Sequence, residues 1–586
     1  MTRRVRLSTI VLLLASPLAA GVLADVKVTD QSYVRHDGGT DPVIITCGSD
    51  ATTEAPGGDA GGNRQQNEPT VAVKPDEPNF IVASANDYCT VPRTADAWQG
   101  IYVSTDGGST WINSLLPGYP GDTSTAGASS PLSTNSGDPL LDFDNDGHLF
   151  AGGITFNRTV TTANGRHLAS NGHMYVARYT RDPAAPLGMR FDGTVVVGEG
   201  TPAQFPFGGR FNDKPSMKVD DWASSPYEGN VYVAWTLFPG FAGADQILFS
   251  RSIDAGLTFS KPIKISKGVA SAQDSTIAVR PNGEVYVFWR QFESRAARVV
   301  NAIVFVKSTD GGVTFSDPAT VRTLVPYESR DQYVSGGSAR DCGDGPDLCV
   351  SNFVFARNGT APASVADTNG NLYVSYEELI PAASNGDTYE PDGQAHAVVA
   401  KSTNGGATWS KVVIDPQAVG HQFWPTITYD KVTNKLAVIY YDSRSDPAYS
   451  VNRPIGNDVG GISSCGAAPS PICEVLNTYM AISTDGGATW SPAKVSSLGN
   501  QPQYETFDNR DVPFFGDYIG IDAGGGRIFG VWTDNRDIVP GTDPREETQD
   551  GFDVHQCRVQ NTNGSWSADN CPNAGGLNAN IYGATP

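Results

Sequence analysis

Ser104-Thr105-Asp106-Gly107-Gly108-Ser109-Thr110-Trp111 decides the fold, because the same octapeptide returns four more times, beginning at Ser252, Ser308, Ser402 and Ser483. Its form is S-x-[DN]-x-G-x-T-[WF], which reads as a hairpin turn. The Asp or Asn side chain caps its own turn, the glycine takes a positive φ, and the terminal aromatic packs beneath. One copy would say little; five fix a repeat.

Each copy follows a β-rich run such as Gly100 to Val103 or Ala302 to Lys307, and each repeat opens upstream with two strands about a tight turn. The openings are Glu68 to Ala85, Asp138 to Thr155, Asp213 to Thr236, Asp274 to Arg290, Ala361 to Glu377, Trp424 to Asp442 and Phe515 to Asp534. Turns such as Pro281-Asn282-Gly283 and Thr368-Asn369-Gly370, flanked by alternating Val, Ile, Tyr, Phe and Trp, carry the period of two expected of strands. The second and seventh units keep their strands and lack the octapeptide. The expectation is an all-β propeller of seven blades, each a four-stranded antiparallel sheet, with Val26 to Thr46 helping to close the ring. A six-bladed ring with one displaced unit and an open β-solenoid are the alternatives.

Composition agrees: 64 glycines in 586 residues, 39% hydrophobic, 10% aromatic and 18% charged residues suit a turn-rich β protein with a filled core. Residues 1–24 carry Arg3, Arg4 and Arg6 ahead of the apolar run Ile10 to Leu14 and a small-residue site before Asp25, the pattern of a signal peptide. Residues 25–67 then form the closing segment and 68–586 the propeller, and the mature chain is expected to be secreted. The formal net charge of -22 becomes about -25 without the leader, a sign that repels nucleic acid and anionic membranes. No other stretch is apolar enough to insert in a membrane. The eight cysteines read as disulfides: Cys342 with Cys349, Cys465 with Cys473, Cys557 with Cys571 and, by elimination, Cys47 with Cys89. Neither a metal nor a cofactor is expected. Asp142-Phe143-Asp144-Asn145-Asp146-Gly147 imitates half a calcium loop, but its twelfth position is Gly153 rather than Glu, so a turn and a calcium site stand as alternatives.

The octapeptide is the Asp box, and from about Glu68 onward the chain resembles the sialidase superfamily of β-propellers. The resemblance implies ligand chemistry on the face opposite the boxes. It also implies a Tyr nucleophile, an activating acid, an Asp acid/base and arginines that clamp an acidic sugar. Asp517-Tyr518 ahead of Gly526 resembles the strand start that carries the nucleophile. Asp274 and Arg290 bracket a strand pair like the family's activating acid and second arginine, with Asp in place of Glu. Asp96 lies in the loop where the acid/base is kept. Where the family has Arg-Ile-Pro, this chain has Asn67-Glu68-Pro69, and no arginine precedes the last box near Asn477, where the third is expected; Arg444, Arg510 and Arg536 stand instead on site-facing ends.

Other strand ends on that face carry Asp87, Trp289-Arg290, Tyr376-Glu377, Tyr441-Asp442 with Arg444, and Trp532 with Asp534 and Arg536. They suit stacking and charge-assisted bonding of sugars, with Arg290, Arg444, Arg536, Asp87 and Glu377 as substrate contacts, or a ring of structural ion pairs. Serine-hydrolase, zinc-protease and nucleotide-binding motifs do not occur. The expected function is a monomeric, secreted glycoside hydrolase of exo-sialidase type acting on a glycan. A polysaccharide lyase and a noncatalytic carbohydrate- or protein-binding propeller are the alternatives.

Overall fold

The computed structural model describes residues 25–29, 33–49, 66–90, 97–161, 167–201, 209–240, 244–268, 271–292, 300–325, 360–383, 392–446, 476–500, 504–507, 510–513, 516–536 and 579–586. The leader, Asp96 and the cysteine pairs at 342/349, 465/473 and 557/571 lie outside them.

Within these residues every unit read from the sequence folds as a four-stranded antiparallel sheet. The first runs Gln66–Val73, Ile81–Asp87, Trp98–Ser104, Ile112–Leu115 from axis to rim. The second (innermost strand Asn135–Phe143) and third (Phe211–Val219) join through one parallel bridge between Gly172 and Phe211. The fourth, fifth and sixth begin at Ala272–Val279, Ala363–Ala366 and Gln422–Asp430. In the seventh, Gly520–Gly524, Arg527–Asp534 and Asn580–Ala584 take their outermost strand from the other end of the chain, Val26–Lys27. The innermost strands neighbour one another in a closed cycle, from first to seventh and back to the first. The fold is therefore a β-propeller, and seven four-stranded units make up its ring among the described residues.

The borrowed strand also explains one missing box. The octapeptide joins the third and fourth strands of a unit, and in the seventh unit those strands are not consecutive in the chain. In the second unit the corresponding turn is Asp182 to Gly188, closed instead by Asp182 accepting from the Ala184 N–H at 3.0 Å.

The boxes form as their residues dictate. In the fourth unit the Ser308 hydroxyl donates to Asp310 at 2.8 Å while accepting the Gly312 N–H at 2.9 Å. The other end of the turn closes on the same carboxylate, through the Thr314 N–H at 2.9 Å and the Thr314 hydroxyl at 2.6 Å. Asn404 keeps the geometry by accepting the Thr408 N–H and donating its own amide to the Thr408 hydroxyl. The glycine at the fifth position of each box has φ between 77° and 94°. Its α-carbon lies against an aromatic ring of the preceding unit: Phe529 for Gly108, Phe150 for Gly256, Phe249 for Gly312, Phe305 for Gly406 and Tyr373 for Gly487. A box thus closes a hairpin and seats it on its neighbour.

Outside the ring, the helix Pro42–Ser49 is tied to the first unit by the Cys47–Cys89 disulfide, with Cα atoms 5.4 Å apart. Among the described residues no helix is long and apolar enough to cross a membrane.

Gly312→Ala combines a left-handed φ of 81° with a Cβ 2.8 Å from the Phe249 ring. It is expected to destabilise the protein by about 1 to 3 kcal/mol in denaturant unfolding. Gly229→Ala, at a similar φ of 82° with open space around it, should cost less. Equal costs would show that the contact with the preceding unit does not matter.

Candidate functional site

The innermost strands begin on the face opposite the boxes, and there the backbone does something the propeller alone does not demand. Glu68, Asp138, Lys214, Asp274 and Trp424 all have φ between 47° and 56°. Each sits at a register shift between the first two strands of its unit. Four of the five precede a proline: Pro69, Pro139, Pro215 and Pro425. A left-handed non-glycine residue at a bulge turns its side chain out of the strand's alternation, and such conformations concentrate at functional sites. Here the bulges place a set of charged side chains at the mouth of the central channel.

The set is tightly linked around the first, second, third and seventh units. The Asn86 amide donates to Glu68 at 2.8 Å, and its oxygen accepts the Asp138 N–H at 3.1 Å. Asp138 in turn accepts the Lys214 N–H at 3.1 Å. The Lys214 ammonium pairs with Asp517 and lies 5.7 Å from the centre of the Tyr518 ring. Asp213 accepts the same Lys214 N–H at 3.0 Å, which sets it next to Asp138; burial, then that like-charged neighbour, raise its pKa to about 8. A carboxyl so placed keeps its proton at neutral pH and can donate it. Burial pushes the Tyr518 hydroxyl well above its usual value, and the carboxylates of Asp138, Glu68, Asp517 and Asp213 push it further. The phenol is held neutral, with carboxylates around it able to take its proton.

On the fourth and fifth units the mouth differs. Arg290 is 1% exposed and donates to the Gln291 carbonyl at 3.0 Å and to Asn301 at 2.7 Å. Glu377 is fully buried and accepts the Trp424 N–H at 3.0 Å. Burial raises it to about 8, against the opposing pull of that bond and of Arg290.

The remaining expected contacts occupy the frame. Asp87 is buried, accepting from the hydroxyls of Tyr33 and Tyr102 beside the Cys47–Cys89 disulfide. Arg444 grips Asp442 through two hydrogen bonds of 2.8 and 2.6 Å, pairs with Asp415 and stacks 4.1 Å from the Tyr479 centroid. Arg536 grips Asp534 in the same way, reaches Asp25 at 2.7 Å and stacks on Tyr582, so it ties the N-terminal segment to the seventh unit. Asp274 has the bulge conformation but belongs to the fourth unit; the carboxylates named above as pressing on Tyr518 come from the first, second, third and seventh units. The Asp142 to Gly147 stretch is a turn in which Asp144 accepts the N–H groups of Asp146 and His148. Among the described residues no cluster suits a metal ion.

Sequence reasoning missed Glu68, Asp138, Asp213, Lys214 and Asp517 as a group. The signal was present: a charged or bulky residue before proline recurs at the start of the opening strand, in Glu68-Pro69, Asp138-Pro139, Lys214-Pro215 and Trp424-Pro425.

Behind the mouth the channel encloses about 350 Å³. Its far end is crossed by Lys431 of the sixth unit, 2.6 Å from Asp221 of the third, and lined by Lys218, 2.9 Å from Asp142. Asp522, half-buried beside them and accepting the Val73 N–H at 2.8 Å, is raised by desolvation to about 7.

The sequence profile of the BNR/Asp-box repeat matches residues 481–492. No curated protein matches the chain. Among solved structures it is similar to a Hadza microbial sialidase, with 13% identity, TM-score 0.39, and 77% of this chain and 70% of that one covered. It is similar to the Trypanosoma rangeli sialidase with 12% identity, TM-score 0.36, and 65% and 53% covered. With the Fusarium graminearum α-L-arabinofuranosidase of family GH93 it shares 15% identity, TM-score 0.39, and 65% and 90% covered. The box repeat and the cycle of four-stranded sheets define the class: a β-propeller with Asp-box turns.

Because Asp522 holds its proton in the folded protein up to about pH 7 and in the unfolded chain only to about 4, its contribution to stability falls as pH rises between those values. Asp522→Asn should flatten the pH dependence of unfolding free energy across that window, by roughly 1 kcal/mol per pH unit. An unchanged slope would show that Asp522 is ionised in the native channel.

Proposed function

We propose that the chain acts on glycans as a glycoside hydrolase, with the reacting bond held at the channel mouth opposite the boxes. The observation that carries this reading is the set of Asp138, Asp213, Lys214 and Asp517 held together beside the Tyr518 ring. Asp213, still protonated at neutral pH, donates to the leaving glycosidic oxygen. Tyr518 attacks or stabilises the anomeric centre while a neighbouring carboxylate, Asp138 or Glu68, accepts its proton. Lys214, paired with Asp517 and lying over the Tyr518 ring, keeps the phenol oriented. The expected roles of Asp274 as proton acceptor and Asp96 as acid/base pass in this reading to the carboxylates that surround Tyr518.

The finer form, an exo-sialidase, is supported by the tyrosine itself, since a neutral nucleophile avoids repelling a sugar carboxylate. Arg290 is then the anchor for that carboxylate. A noncatalytic glycan-binding propeller is the second reading, favoured by Arg444, Arg536 and Asp87 being committed to the frame. The Cys47–Cys89 disulfide supports a secreted protein in either case.

The test is to assay purified protein on aryl sialosides and on aryl glycosides of uncharged sugars. Turnover is expected, with kcat lowered 100-fold or more in both Asp213→Asn and Tyr518→Phe. A wild type that binds sugars and cleaves none returns the binding propeller; a Tyr518→Phe variant within a few fold of wild type removes the nucleophile assignment.

A further inference from the structure

In five units the second strand stops at the mouth, and in two it does not. It has seven or eight residues in the first, third, fourth, sixth and seventh units. In the second unit it is His148–Thr161, fourteen residues, and in the fifth Leu372–Ala383, twelve residues. Register and hydrogen bonds fix where the surplus lies. Ile154 pairs with Gly137, the residue before the Asp138 bulge, as Asn86 pairs with Asn67 before Glu68. Glu377 accepts the N–H of the next unit's bulge residue, Trp424, as Asn86 accepts that of Asp138, which sets those two level as well. From Ile154 to Thr161, and from Glu377 to Ala383, each strand runs past the mouth by roughly 20 Å of extended chain. The third strands run with them: Thr161 pairs with His167 and Ala383 with Asp392, so each surplus is an antiparallel hairpin.

Both hairpins are fastened to the start of the next unit's innermost strand. Gly172 bridges to Phe211, its carbonyl accepts the Asn212 amide at 2.9 Å, and the rings of Phe156 and Phe211 lie 6.3 Å apart. In the fifth unit the Ala395 N–H donates to His421 Nδ1 at 3.1 Å and the Ala397 N–H to Gln422 Oε1 at 2.9 Å. The hairpins are thus held near the channel rather than at the rim, and the second and fifth units stand on opposite sides of the ring. Asp138 lies at the foot of one and Glu377 at the foot of the other.

Closing the ring does not require them, since five units do without. A two-stranded hairpin is marginal by itself in water. Above Phe156 and Gly172 no third strand joins the second unit's hairpin among the described residues. Its outer N–H and C=O groups alternate donor and acceptor, and its strands carry Arg158, Thr159, Thr161, His167 and Ser170 with no carboxylate, unlike the foot. Such a surface answers hydroxyl groups, which both donate and accept.

We propose that the two hairpins are the walls of an extended subsite for an oligosaccharide chain, holding sugars beyond the one beside Tyr518. A single sugar at the feet leaves most of their height without contact, and a chain of several sugars fills it. The proposal rests on the reading of the mouth as a glycan site and adds the size class of its ligand: a linear oligosaccharide, bound partly through sugars that the reacting centre never touches.

The experiment measures binding against chain length. Cello-, xylo-, arabino- and α-2,8-sialo-oligosaccharides of one to six residues are titrated by ligand-observed NMR. In the series that the protein recognises, the hexamer is expected to bind about tenfold or more tightly than the monomer, the gain from one good hydrogen-bonded contact. Replacing residues 158–170 by Asn-Gly puts a two-residue turn between the paired Asn157 and Asn171. That variant should bind the hexamer within about threefold of the monomer and the monomer as wild type does. Hydrogen exchange on wild type gives a readout that needs no variant: bound hexamer slows exchange at 157–161 and 167–171, and bound monomer slows it only at the foot. Equal affinity for monomer and hexamer overturns the proposal and leaves the glycan site standing, as does hexamer protection confined to the foot. A gain with chain length in a protein that cleaves nothing supports the walls and contradicts the hydrolase reading. Binding of no sugar at any length removes the reading of the mouth, and the walls with it.

Discussion

The contact on which the ring depends is small: the fifth-position glycine of a box lying against an aromatic ring of the unit before it. Gly108 meets Phe529, which makes the first unit's hairpin the seam where the two ends of the ring join. The same seam is reinforced by Val26–Lys27 pairing with Tyr582 and Gly583, and by Arg536 bridging Asp534 to Asp25. A closed ring has no free sheet edge at the seam, and closure holds the mouth residues of the first and seventh units, Glu68 and Asp517, on the same side as Asp138 and Lys214.

Given that ring, the two faces divide their work by backbone geometry. At the box face, side chains satisfy their own turns: Asp106, Asp254, Asp310, Asn404 and Asp485 each close one hairpin. On the other face the bulges at Glu68, Asp138, Lys214, Asp274 and Trp424 divert side chains toward the axis. Left-handed conformations at Glu, Asp, Lys and Trp cost free energy, and the inter-unit hydrogen bonds to their N–H groups, from Asn86 and Glu377, help hold them. The mouth is thus pre-organised by the same bonds that join neighbouring units. Carboxyl groups forced together in this way hold protons to higher pH than they would in water, which is the property an acid catalyst needs.

Much of the fold was legible in the sequence because the box is local: an Asp, a glycine and a Thr within five residues define a turn with no help from the rest of the chain. The seven strand-pair openings were legible for the same reason, through turn chemistry and alternation. The site was less so. Tyr518 could be picked out by its place at a strand start, but its partners come from four units, and which carboxylates reach it depends on the order of sheets around the axis. Arg444 and Arg536 looked like ligand contacts because they end strands on the correct face. Aspartates two residues away, Asp442 and Asp534, take up their guanidinium groups instead. Asp87 is likewise held from a distance in sequence, by the hydroxyl of Tyr33 more than 50 residues earlier in the chain. What sequence reading lacked was the bulge, whose signature before proline recurs in four of the units and carries Glu68, Asp138 and Lys214 of the mouth.

The central claim is that ligand chemistry belongs to the face of the bulges and not to the face of the boxes. Hydrogen exchange measured with and without a mixture of uncharged and sialylated oligosaccharides tests it directly. The account predicts slower exchange at residues 136–139, 212–215 and 516–520 when sugar is bound, with the box turns at 104–111, 308–315 and 483–490 unchanged. Protection confined to the box turns, with the mouth unaffected, would contradict it.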